Sequence, residues 1–70
     1  MNSNYEISVK PLPPEDGGGF LAWVPDLPGC MSDGSTQAEA LDNAAQAIDE
    51  WIDEAVRLGH AVPVPTRKHA

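Results

Sequence analysis

Thr36, Gln37, Ala38 and Glu39 open the one stretch of this chain whose local structure is specified at both ends. Thr36 followed three residues later by Glu39 is a capping box: the hydroxyl accepts from the Glu39 amide and the Glu39 carboxylate reaches back. Gly59 supplies the stop, because glycine just beyond a last helical turn takes up a left-handed conformation at little cost. These signals predict a helix over residues 37–58. Leu41, Ala44, Ala45, Ile48, Ile52 and Ala55 fall on one stripe at helical spacing, flanked by Trp51 and Val56. Ala44, Ala45 and Ala55 let such a helix lie close to whatever it covers, while Ile48, Trp51 and Ile52 supply bulk.

The residues before the helix supply the layer to be covered. Tyr5, Ile7 and Val9 alternate with Glu6, Ser8 and Lys10, the period of a half-buried strand. Pro11, Pro13 and Pro14 stop that strand, and Glu15, Asp16 and Gly17, Gly18 and Gly19 read as a flexible turn. A second strand follows with Phe20, Ala22 and Val24 on one face and Leu21 and Trp23 on the other. Pro25, Asp26, Leu27, Pro28 and Gly29 form a dense turn signal, and Cys30, Met31, Ser32 and Asp33 a short third strand ended by Gly34. The expected fold is α+β. It has a three-stranded antiparallel sheet in meander order, one long helix on one face, then a short C-terminal extended segment or strand at Val62, Pro63, Val64 and Pro65. Residues 1–70 read as a single domain, with an ordered core over 4–65 and a polar tail over 66–70.

Charge narrows the partners. Eleven acids against four bases give a net charge of −7. A field of that sign repels phosphate backbones and anionic membranes and draws basic partners inward. Direct nucleic-acid binding and membrane association by this chain are therefore not expected, although acidity equally serves the solubility of any small protein. The N-terminal residues lack a basic and apolar leader, and no apolar run approaches the roughly 20 residues of a spanning helix. The single cysteine, Cys30, excludes an intramolecular disulfide and fits a reducing compartment. A cytoplasmic location is expected.

Catalytic and cofactor readings find little support. Cys30 and His60 are a thin basis for a nucleophile and its base, and a small residue in a strand pattern is more simply buried. At 100° per residue, Asp42, Asp49 and Asp53 form a row along one flank of the helix, with Glu39, Glu50 and Glu54 on the far side. Asp49 and Asp53 alone offer a hard cation far fewer than its usual six or more oxygens, so a solvated acidic face is the simpler reading. Gly17, Gly18 and Gly19 join two strands and do not open a helix, so they are no phosphate loop. His60, just past the helix end, suits the C-terminal dipole. No catalytic residue, metal or cofactor is expected. What remains is recognition: Asp42, Asp49, Glu50 and Asp53 as contacts to a basic partner, and Trp23 as an apolar anchor on the uncovered sheet face. The ordinary alternative for Trp23 is packing under the hairpin loop or the C-terminal segment.

The run of residues 19–30, Gly-Phe-Leu-Ala-Trp-Val-Pro-Asp-Leu-Pro-Gly-Cys, closely resembles the strand-and-turn segment of HicB-like antitoxins. Residues 32–44 resemble the strand-to-helix segment of the same family, and the similarity continues through Gly59 to Pro63, Val64 and Pro65. This resemblance implies a partial RNase H-like fold. It also implies a non-catalytic antitoxin that binds and occludes a small basic HicA-type toxin, which cleaves messenger RNA with a catalytic histidine. Two departures stand out. Many members carry a C-terminal DNA-binding domain, which is not expected in this chain, and Trp23 stands where an acidic or small polar residue is common. An orphan assembly or regulatory module of the same fold, without a toxin, is the alternative. A bare sheet face and free edges make homo-oligomerisation an expectation in either case.

Overall fold

In the computed structural model residues 5–65 are described; the 66–70 tail expected from sequence lies outside them. Strands β1 (Ser8–Pro11), β2 (Phe20–Trp23) and β3 (Met31–Gly34) form an antiparallel sheet in the order β1-β2-β3, followed by helix α1 (Gln37–Arg57). The α+β meander with one long helix on it is the architecture expected. Strand limits shift by small amounts. The β1 ladder begins only at Ser8 and runs through Pro11, the residue expected to stop it. Pro11 is tolerated because it sits on an outer strand at a position whose backbone faces away from β2. The Leu12 N–H bonds the Gly19 carbonyl at 2.9 Å, so by alternation Val9 and Pro11 turn their polar groups outward, where a missing N–H costs nothing.

The hairpin loop is more ordered than a flexible turn. Pro14–Asp16 form a 3-10 turn, and the Pro13 carbonyl accepts from Asp16 at 2.9 Å and from Gly18 at 3.1 Å. The second connection is tighter still. Val24 N–H reaches Cys30 O at 3.0 Å, Leu27 N–H reaches Val24 O at 3.1 Å, and Cys30 N–H reaches Leu27 O at 3.0 Å. These bonds fold the turn over so that Leu27 points inward with none of its surface exposed.

The core lies between α1 and one sheet face, in two parts. At one end Tyr5, Val24, Leu27, Cys30 and Ile48 form a buried cluster, with Ile7, Ala47, Trp51 and Ile52 against it. At the other, Ala22 meets Ala40 and Ala44, with Ile7, Val9 and Phe20 alongside. Small residues on both surfaces let the first half of α1 approach the sheet closely, while Leu27 and Ile48 fill the wider end. The buried stripe is thus Ala40, Ala44, Ile48 and Ala55, rotated from the one predicted. Leu41, Ala45 and Ile52 stand at its rim, and Val56 is 64% exposed.

Both helix ends are closed as their residues require. The Thr36 side chain accepts from Glu39 N–H at 3.0 Å. The Glu39 carboxylate reaches back one residue further than in a regular capping box, accepting from Ser35 N–H. Thr36→Ala is expected to cost about 1 kcal/mol, read as a lower urea midpoint at unchanged slope. At the far end Gly59 has φ +76°, its N–H bonds Val56 O at 3.1 Å, and His60 N–H bonds Ala55 O at 2.8 Å, a Schellman closure. Beyond it, Val62, Pro63, Val64 and Pro65 form no strand; the segment is held instead by the Tyr5 hydroxyl, which donates to Pro63 O.

Candidate partner-binding surfaces

The length of α1 and its single covered face decide where the acids stand. Asp42, Asp49 and Asp53 are exposed on the side of the helix turned from the sheet. Asp42 and Asp49 line one shallow depression with Ala45 and Gln46. Ala45 is half-buried there, at the rim of the core. Glu50 does not join this row. It borders a second groove, between β3 and the C-terminal half of α1, with Met31, Ala47, Trp51, Glu54 and Leu58. Glu54 pairs with Arg57 one turn on, both largely exposed, so the pair adds little stability.

Two side chains and one glycine fix the frame beneath these acids. The Trp51 indole N–H donates to Pro28 O at 2.9 Å, tying the second connection to the helix. Asn43 Nδ2 donates to Asp33 O at 2.8 Å, tying β3 to the helix near its start. Gly34 lets the helix lie against the strand: a Cβ there would stand 2.5 Å from Ala40 N. None of these was singled out for this role from sequence, because each acts through a backbone carbonyl or a bare Cα. Cys30 lies in the larger core cluster, and burial pushes its thiol pKa up from the ordinary value. That makes it a poorer nucleophile near neutral pH, as expected of a packed cysteine. Among the described residues no three His, Cys, Asp or Glu side chains gather into a metal-binding cluster. No described helix is long and apolar enough to cross a membrane.

Trp23 stands apart from the acids of the helix. Its neighbour in β2, Ala22, is fully buried beneath α1, so strand alternation turns Trp23 and Leu21 to the opposite face. The five residues singled out for partner contact therefore divide three ways: Asp42, Asp49 and Asp53 on the outer flank of α1, Glu50 at the groove beside β3, and Trp23 on the far side of the sheet. One flat partner surface cannot touch both the outer flank of α1 and Trp23.

A family model described as HicB-like antitoxin of bacterial toxin-antitoxin system matches residues 5–69, a span that includes all three strands and the helix. The chain belongs to the HicB-like antitoxin family. Among its relatives, a UPF0150 protein of Synechocystis sp. is 38% identical over 60 residues, 86% of this chain and 72% of that protein. A UPF0150 protein of Thermoplasma acidophilum is 35% identical over 49 residues, 70% of this chain and 71% of its own length. Antitoxin HicB 1 of Photorhabdus laumondii is 30% identical over 64 residues, 91% of this chain but only 39% of that protein. HicB-like antitoxins act, as their name states, in toxin–antitoxin systems, so a surface that meets another protein is the functional feature to locate. In this HicB-like chain the Pro-Asp-Leu-Pro-Gly-Cys run is the inward-folded connection that carries Leu27 and receives the Trp51 hydrogen bond.

Proposed function

We propose that this chain is an antitoxin that binds and occludes a small basic mRNA-cleaving toxin of the HicA type, acting without catalysis or cofactor. The observation that carries the reading is the exposed carboxylate flank of α1, on a chain of net charge −7 that belongs to an antitoxin family. A basic protein is drawn to such a flank before contact is made, which raises the association rate, and the rigid helix then shields whatever lies beneath it. Asp42, Asp49 and Asp53 present one charged edge, and Glu50 extends acidity to the groove on the other side.

The test is binding to the product of a neighbouring reading frame that encodes a short, basic, histidine-containing protein. The double variant Asp49→Lys/Asp53→Lys is expected to weaken that complex by about 10- to 100-fold, mostly through slower association, and to flatten its salt dependence. Surface plasmon resonance at two salt concentrations reads both effects. Unchanged affinity would remove the helix flank from the interface. A second reading, an assembly module without a toxin, is favoured by the sheet face turned away from α1, which carries Leu21, Trp23 and the exposed Met31. Recovery of only this chain when it is captured from its own cells would support it.

A further inference from the structure

The sheet face turned away from α1 carries a regular pattern. Its register sets Lys10, Leu21 and Asp33 side by side across the three strands, and Ser8, Trp23 and Met31 in the next row. The middle strand thus presents two apolar side chains. One outer strand presents a cation, the other an anion, at the same height. Met31 adds apolar surface on the β3 side and is 55% exposed. Strands lie about 4.8 Å apart, so the Lys10 and Asp33 backbones are about 10 Å apart within one chain, and their side chains form no ion pair with each other there.

We propose that this face is a homodimer interface whose occupant is a second copy of this chain. A two-fold axis running parallel to β2, between two copies placed face to face, preserves height along the strands and exchanges their left and right sides. It brings Lys10 of each copy opposite Asp33 of the other, twice over. It sets Leu21 against Leu21 and Trp23 against Trp23 at the centre, and lays Met31 over the small Ser8. Sheets packed in this way stay within about 30° of alignment, which keeps these rows in register over so short a face. The charge pattern is therefore self-complementary under the commonest symmetry of protein dimers, although the chain as a whole is strongly acidic. Its narrowness limits its strength. A patch about 10 Å between outer strands belongs with small interfaces, so the dimer is expected to be micromolar. It goes beyond toxin capture and uses the opposite side of the molecule.

Sedimentation equilibrium across roughly 1–500 µM protein brackets such an affinity. The wild-type chain is expected to pass from monomer to dimer in this range. Lys10→Asp, which sets two acids opposite each other at both ends, is expected to raise the dissociation constant at least about tenfold. The swap Lys10→Asp/Asp33→Lys is expected to restore it, because the pairs re-form with opposite sense. Trp23→Ser is expected to abolish the dimer, and far-ultraviolet circular dichroism confirms that each variant is folded. Asp49→Lys/Asp53→Lys serves as the control: it is expected to leave self-association unchanged while weakening toxin capture. A wild-type chain that stays monomeric throughout, or a Lys10→Asp variant that dimerises as before, would overturn the proposal. So would a Trp23→Ser variant that loses a heterologous partner while self-association persists.

Discussion

Replacing Leu27 with alanine is expected to leave the protein largely unfolded at ordinary temperature. Leu27 has no exposed surface and is one of the two largest fully buried side chains, with Ile48. Large-to-small truncation at such a site costs about 2–5 kcal/mol, and a single core in so short a chain rarely supplies more than about 3–5 kcal/mol. The loss has no easy remedy, because Leu27 sits in a connection pinned by three backbone hydrogen bonds and cannot slide to refill its place. Ile48→Ala should behave alike from the helix side. Urea unfolding followed by tryptophan fluorescence gives the loss directly. Cys30 gives an independent reading: it is 4% exposed in the same cluster, so thiol labelling reports how often that cluster opens. Labelling should be slow in the wild type and fast in Leu27→Ala. Truncating Val64, which is 80% exposed, should change neither.

Adding one methyl group at Gly34 is the second large perturbation expected. Its Cβ would stand 2.5 Å from the Ala40 nitrogen and 2.8 Å from the Glu39 carbonyl carbon, both in the helix backbone, so no side-chain rotation can make room. The first turn of α1 has to lift from β3. That strains the Thr36 and Glu39 capping contacts and loosens Ala40 and Ala44 from Ala22. Overpacking of this kind costs about 1–3 kcal/mol. The useful comparison is Gly29→Ala. Gly29 has φ +80° but open space around its Cβ position, so it tests backbone strain alone, roughly 1–2 kcal/mol. Gly34→Ala is expected to lose helix near its N-terminus, seen as faster amide exchange at residues 39–44, whereas Gly29→Ala leaves those amides protected. Equal exchange in the two variants would mean that the close approach at Gly34 does not govern the helix start.

The helix could be read from sequence because its signals are local: Thr36, Glu39 and Gly59 act on backbone groups within a turn of themselves. The strands followed from alternation, and the face of Trp23 with them. The orientation of the helix on the sheet could not be fixed in that way. Alanines at 44, 45 and 55 define a stripe only to within one residue's rotation, and the close fit of Ala22 against Ala40 and Ala44 chose among the possibilities. Leu27 was hidden by its neighbours, since two prolines and a glycine announce a surface turn. An apolar residue inside such a turn was the available sign. The acidic row of the candidate site was legible from helical geometry alone. Its separation from Trp23 needed the sheet to be placed beneath the helix, which is a property of packing and not of spacing.

The hydrogen bond from Asn43 to Asp33 has a consequence for the fate of this chain at high concentration. The Val24–Cys30 bond fixes the alternation along β3, so Met31 and Asp33 turn their peptide groups to the outer edge. Asn43 occupies the Asp33 carbonyl there. On the opposite margin Pro11 offers no N–H. An incoming strand from a neighbouring molecule would find the ladder interrupted at both margins, so stacking into fibrils lacks a template in the folded state. Amyloid-like growth would then have to begin from unfolded chains, which makes the stability of the Leu27 cluster the guard against it.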